Sequence, residues 1–334
     1  MNCKHCGSSA GFARKNELST TECFSLCEDL AELSCTTVCL MGGEPFLRKD
    51  YLDVGNCIKD LGMELSFVTN GLLMDKVIEN VAKLEPLVVG LSLDGTELTH
   101  DSIRRKGSFQ AVMRALKLLN EYNIQTTVIT TISKTNFNDL NALAELLKDR
   151  EVNWQIQVAM PFGNFDPALA IDLEEYYASA LFIAKLGIEN KFHNHPIVGA
   201  HCYGYFSHIL PSKEWKGCTA GISTIGITSD GGIVGCLSIS NKDFIEGNIR
   251  KKSLVEIWED EKSFAYNRHF NRSDLGPNCR DCEYGEVCKG GCNSMSLHFT
   301  GQFHNDPYCM RRIEEKILKV NLSKRSLKKY KKSR

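Results

Sequence analysis

No run of eighteen uninterrupted apolar residues occurs in this 334-residue chain, and no apolar segment follows its start. Neither a membrane-spanning helix nor a secretory signal is therefore expected, and the reading is of a cytoplasmic protein. An excess of one charge is lacking too. With 40 Lys+Arg against 41 Asp+Glu, the formal net charge is -1, so no global field draws the chain to nucleic acid or to an acidic surface. Only the tail departs from this balance. Nine Lys/Arg and no acid follow Glu315, which suits a solvated terminus and, less simply, a basic arm. Internal repeats are absent, as are low-complexity segments outside that tail. Disulfides are not expected either, because a reducing compartment keeps thiols free, and the 15 cysteines then become candidates for metal or redox chemistry.

What is present is an alternation of helices and strands. Leu18, Cys23, Leu26, Cys27, Leu30 and Leu33 recur mostly every three or four residues behind the N-cap signal Ser19/Thr20, which predicts an amphipathic helix. Cys35 to Met41 reads as a buried strand that breaks at Gly42-Gly43-Glu44-Pro45. Further strands are expected over Leu65–Thr69, Leu87–Leu93, Ile124–Ile132 and Trp154–Met160. Helices are expected around Tyr51–Leu61, Asp75–Leu84, Ser108–Tyr122, Asn138–Lys148 and Leu173–Leu186. Five strands with intervening helices predict a parallel α/β sheet, curved or closed like a barrel. Ligands in such folds gather at the carboxyl ends of the strands.

The texture changes after residue 190. His193 to Gly204 reads as a connection, and His193, His195, His201 and His208 show no known ligand spacing. Ile222–Ile227 and Ile233–Leu237 flank Ser229-Asp230-Gly231-Gly232, a hairpin signal. The strongest local pattern is Cys279-x2-Cys282-x5-Cys288-x3-Cys292 followed by Cys309, with Cys218 and Cys236 upstream. Close-spaced thiols on tight turns converge at small loop-closure cost, and four-thiolate sites serve zinc and iron–sulfur clusters alike. At the other end Cys3 and Cys6 open a Gly/Ser loop and supply two corners of a metal site. Cys23, Cys27, Cys35, Cys39 and Cys57 read as core residues.

In combination these motifs resemble the radical SAM superfamily with a C-terminal SPASM domain, the group that includes sulfatase, mycofactocin and ribosomal-peptide maturases. The resemblance implies a partial (β/α)6 TIM-like barrel over residues 1–190, a connection over 191–217, an auxiliary-cluster domain over 218–312 and a basic tail over 313–334. Cys3 and Cys6 match the second and third cysteines of the family's cluster loop, with His5 in the place of its usual aromatic. Gly42, Gly43, Glu44 and Pro45 match the motif that receives the methionyl ammonium of S-adenosylmethionine. Thr69, Asn70, Ser92, Asp94 and Arg104 resemble ribose and carboxylate contacts, and Met160 lies where adenine packs. By the same resemblance Cys218, Cys236 and Cys292 would hold one auxiliary [4Fe–4S] cluster and Cys279, Cys282, Cys288 and Cys309 a second. The first set lacks a fourth ligand, for which Cys202 is conceivable, although an isolated buried thiol is the simpler account of it.

The family's first cluster cysteine and the strand before it would lie upstream of Met1, so an in-frame cysteine four codons before Cys3 is expected. The implied activity is a radical oxidoreductase or maturase that uses a 5'-deoxyadenosyl radical on a peptide or protein. An electron donor such as flavodoxin or ferredoxin and a separate leader-peptide-binding protein are the partners that the resemblance implies. Haem or cofactor biosynthesis, or an inactive iron–sulfur protein, remain as alternatives.

Overall fold

The computed structural model describes residues 1–189, 196–203, 205–210, 215–239 and 241–317. His193, His195 and the basic tail beyond residue 317 lie outside the described residues.

Helix α1 (Thr20–Glu32) starts at Ser19, whose hydroxyl accepts from Glu22 N–H while the Glu22 carboxylate accepts from Ser19 N–H. This reciprocal cap satisfies two donors that a helix start otherwise leaves open. There follow β1 (Thr37–Leu40), α2 (Tyr51–Asp60), β2 (Glu64–Thr69), α3 (Met74–Lys83), β3 (Val88–Ser92), α4 (Glu97–Ile103), α5 (Ser108–Glu121), β4 (Thr126–Ile132), α6 (Leu140–Leu147), β5 (Val152–Val158), α7 (Leu173–Ile188) and β6 (Ile197–Gly199). The six strands form one wholly parallel sheet in sequence order. Burial on both faces explains the apolar runs of β2 and β3. The approach of β3 to β4 requires glycine at position 90, where a Cβ would come within 2.8 Å of Ile129 Cδ1.

The helices cover the sheet through residues spaced three and four apart, as with Met74, Val77, Ile78 and Val81 of α3. At the centre Trp154 is fully buried, its indole N–H donating to Thr130 Oγ1 at 2.8 Å. A large apolar side chain buried in this way contributes about 1.5–3 kcal/mol.

Five strands were expected and six are found. The additional one, β6, lies inside the 191–217 connection, with Trp154 opposite Ile197 and Ile156 opposite Gly199. Three residues beside a proline carry too short a pattern to be read as a strand. Helix α4 is likewise unforeseen, because it buries only His100 and Ile103 in seven residues.

The cysteine-rich unit carries a small antiparallel sheet of β7 (Gly226–Ile227), β8 (Gly232–Val234) and β9 (Gly247–Asn248). The foreseen hairpin turns at Gly231, and α8 (Leu254–Glu259), α9 (Ala265–Arg268), α10 (Gly285–Cys288) and α11 (Asn293–Thr300) follow. The unit is tied to α1. Arg250 pairs with the Glu22 carboxylate and donates to the carbonyls of Asn16 and Glu17, while Leu18 N–H donates to Ser229 C=O. Among the described residues no helix is long and apolar enough to cross a membrane.

Candidate active site and cluster sites

The loop of Cys3 and Cys6 is held by three ties, one at a helix end and two just past strand ends. Lys4 N–H donates to Ile103 C=O at the end of α4, and Asn164 N–H, beyond β5, donates to Cys6 C=O. Gly163 packs so closely there that a Cβ would lie 2.2 Å from Gly7 O, and its φ of +64° is itself a glycine conformation. Cys3 is buried, which raises its pKa, and the charge of Arg104 opposes that rise.

The third tie is Asp94, just past β3 and fully buried. One carboxylate oxygen accepts from His5 Nε2 at 2.8 Å and from Arg104 Nε at 2.5 Å, and the other accepts from Thr131 N–H at 3.0 Å. Its backbone is held as well, its N–H by His100 Nδ1 and its C=O by Asn136 Nδ2. Burial alone would raise this carboxyl's pKa, but Arg104 and then His5 drive it well below the usual range. The residue expected to contact S-adenosylmethionine thus spends its carboxylate on fixing the Cys3–Cys6 loop through His5. Arg104 is tied into the same knot. Burial opposes its charge, and Asp94 more than offsets that cost.

Glu44 follows Gly42-Gly43 at the end of β1 and precedes a short turn over Pro45–Leu47. Its carboxylate accepts from Thr69 Oγ1 at 2.7 Å and from Asn70 N–H at 2.9 Å. These bonds favour the ionised form, yet burial outweighs them and raises the pKa. Thr69 and Asn70, at the end of β2, therefore support Glu44. Ser92 closes β3, and Met160 lies just past β5, where its sulfur accepts from Ser294 Oγ at 3.3 Å. All these residues share the carboxyl-end mouth of the sheet.

The seven cysteines beyond residue 217 separate electrostatically into two sets. A Cys236 thiolate would raise the pKa of Cys218, and a Cys218 thiolate that of Cys292, in each case after burial. Cys279 likewise feels Cys309 and Cys282, and Cys288 feels Cys309 and Cys279. Burial, with these neighbours, pushes Cys279 up to about 12 and Cys309 up to about 11. Among the described residues no three His, Cys, Asp or Glu donors converge on a single-ion position. Buried thiolates that repel one another are relieved by multivalent cations, and all-thiolate donor sets suit iron–sulfur clusters. In that chemical sense both sets fit the group.

Two features, Asp306 and His298, escaped the sequence. Asp306, buried at 2 % exposure, accepts from Cys292 N–H and Tyr308 N–H and lies within electrostatic reach of both cysteine sets. Burial lifts its carboxyl to about 7. The Asp306-Pro307 step just before Cys309 was its only signal. His298 of α11 stacks on Phe162, and nothing in the weak periodicity of α11 marks it. Cys202 is packed in the barrel, where its sulfur accepts from Val158 N–H at 3.3 Å.

Comparison with known proteins agrees with this arrangement. Residues 1–147 match the radical SAM superfamily, and residues 218–283 match SPASM, an iron–sulfur cluster-binding domain. The AdoMet-dependent heme synthase of Methanosarcina barkeri is 26% identical over 339 residues, covering 95% of this chain and 94% of its own. The mycofactocin maturase MftC of Mycolicibacterium smegmatis is 25% identical over 311 residues, covering 90% and 76%. The solved structure of anSMEcpe with bound AdoMet superposes with a TM-score of 0.71 at 19% identity, covering 92% and 90% of the two chains, and so shares the fold. Two matched segments, one over the Cys3–Cys6 mouth and one over the cysteine-rich unit, place the chain in the radical SAM superfamily with a SPASM domain, as an enzyme whose cofactors are [4Fe–4S] clusters and S-adenosylmethionine.

Proposed function

We propose that this enzyme abstracts a hydrogen atom from a peptide or protein substrate at the mouth shared by Cys3, Cys6, Glu44 and Met160. The observation that carries this reading is the contact of two sites. Through Met160–Ser294 and Phe162–His298, the mouth adjoins the segment that bears Cys236 and Cys292. With its cofactors bound, the site supplies reductive cleavage of S-adenosylmethionine to a 5'-deoxyadenosyl radical. Glu44, held by Thr69 and Asn70, would receive the methionyl ammonium with Gly42 and Gly43, while Ser92 would contact the nucleoside and Met160 the adenine. Asp94 and Arg104 keep the Cys3–Cys6 loop in register. Cys218, Cys236 and Cys292 hold one auxiliary cluster, and Cys279, Cys282, Cys288 and Cys309 the other. A flavodoxin or ferredoxin supplies electrons, and a separate protein binds any leader segment.

The similarity to mycofactocin maturases supports a peptide substrate. A tetrapyrrole is the second reading, favoured by the nearly end-to-end match to a heme synthase. One anaerobic assay separates them. Reconstituted, reduced enzyme with S-adenosylmethionine is given either short peptides, including any encoded beside the gene, or iron-coproporphyrin III. A mass change in the peptide with matching 5'-deoxyadenosine is expected, whereas conversion of the porphyrin with the peptide intact overturns the peptide reading.

A further inference from the structure

Two stacked rings join the barrel mouth to the cysteine-rich unit. Phe162 lies so close to the cluster loop that a Cβ on Gly7 would come within 2.3 Å of its ring. The same ring stacks on the imidazole of His298, with centroids 4.3 Å apart and planes 8° from parallel. His298 sits on α11, six residues beyond Cys292. Its Nε2 is 2.6 Å from the carbonyl oxygen of Ser238, two residues beyond Cys236. The two side chains together therefore reach from the loop of Cys3 and Cys6 to the segment of Cys236.

The hydrogen bond selects the tautomer. A carbonyl oxygen only accepts, so Nε2 carries the hydrogen and the neutral ring keeps its lone pair on Nδ1. Among the described residues no hydrogen bond engages Nδ1. Burial holds the ring below the ordinary histidine range, although the Ser238 carbonyl works the other way, and the neutral form prevails at neutral pH. The residue after Cys236 is Leu237, so no carboxylate adjoins that thiol in sequence. His298 is left as a half-buried acceptor of protons at the mouth.

We propose that His298 is the catalytic base of this enzyme, taking a proton from a substrate carbon's own O–H or N–H group as that carbon is oxidised. The proposal rests on the radical reading above. The substrate C–H bond breaks, and its hydrogen atom passes to the 5'-deoxyadenosyl radical, giving 5'-deoxyadenosine. The proton of the adjacent O–H or N–H passes to Nδ1 of His298. The remaining odd electron leaves to a one-electron acceptor of the iron–sulfur class, and a C=O or C=N bond forms. The substrate has then lost two hydrogens, as one atom, one proton and one electron. A proton acceptor placed in this way contributes about a hundredfold or more to such a step.

The test uses holoenzyme and the peptide that the anaerobic assay above identifies, deuterated at carbon. His298→Gln keeps an N–H for the Ser238 carbonyl and removes the base, and His298→Phe keeps a ring against Phe162 and removes it too. Both variants are expected to hold wild-type cluster absorbance and to move deuterium into 5'-deoxyadenosine. Product that has lost one deuterium and one hydrogen, counted per 5'-deoxyadenosine, is expected to fall about a hundredfold. An unchanged ratio in either variant overturns the assignment, as does loss of cluster absorbance in step with product in both. Wild-type enzyme that moves no deuterium from the peptide overturns the peptide reading, and the base assignment falls with it.

Discussion

Asp94 shows how a charge can be kept in the interior. It has no contact with water, yet Arg104, His5 and the Thr131 amide hold it ionised. Asp94→Asn leaves Arg104 buried without its counter-charge, and urea unfolding of the metal-free chain should show a loss of about 3 kcal/mol. The pH dependence follows from the depressed pKa. A carboxyl with a lower pKa in the fold lends stability above its unfolded value of about 3.9 and loses it as pH falls through the folded one. The gap between wild type and Asp94→Asn should therefore stay level from pH 8 to about pH 5 and close only below about pH 4. A gap that closes between pH 7 and pH 5 would contradict the assigned ionisation. Glu44→Gln should have a different outcome, with little change in stability and S-adenosylmethionine binding weaker by about 2 kcal/mol in calorimetry, the scale of a hydrogen bond to a charged group.

Among the elements, the turn after β5 clamps the cluster loop through the Gly163 and Asn164 backbone and through the side chains of Phe162 and Asn164. Gly163→Ala places a methyl group against Gly7 O and forces a φ that alanine resists. Amide exchange at Ser9 and Ala10, which bond back to Cys6, should accelerate at least tenfold while the β4 and β5 amides keep their protection. At the start of α1, Ser19→Ala should cost about 1 kcal/mol by thermal unfolding. The legibility of the chain varied in the same local way. Strands β1 to β5 were visible because each is an apolar or β-branched run closed by a turn signal, but β1 is half exposed rather than buried, and Cys39, expected in the core, is exposed on it. By contrast β6 is only three residues long, and its pairing with β5 is a tertiary fact that no window of sequence contains. The Glu44 turn and the cysteine run were visible in the sequence, and the division of the cysteines into two sets came from the family resemblance. The role of Asp94 was not, since its partners His5 and Thr131 are 89 and 37 residues away. His298 was hidden for the same reason, because its significance lies in the ring and the carbonyl that meet it.

For the molecule as a whole, the partition of the cysteines predicts two independent centres. Cys218→Ser and Cys288→Ser should each lower bound iron by about four atoms per chain and should remove different components of the paramagnetic-resonance spectrum. Loss of both components from either variant would refute the partition. Arg250 joins the two units at α1, and Arg250→Ala should let the cysteine-rich unit melt ahead of the barrel in calorimetry. The knot around Asp94 also dictates an order of assembly. His5 finds its partner only after β3 is in place, and the other oxygen of that partner waits on β4. Such distant closures come late in folding, because the loop entropy must be met before the contact rewards it. The Cys3–Cys6 loop, which precedes these strands in sequence, is thus among the last parts to take shape, and the machinery that delivers iron to it meets a barrel already built.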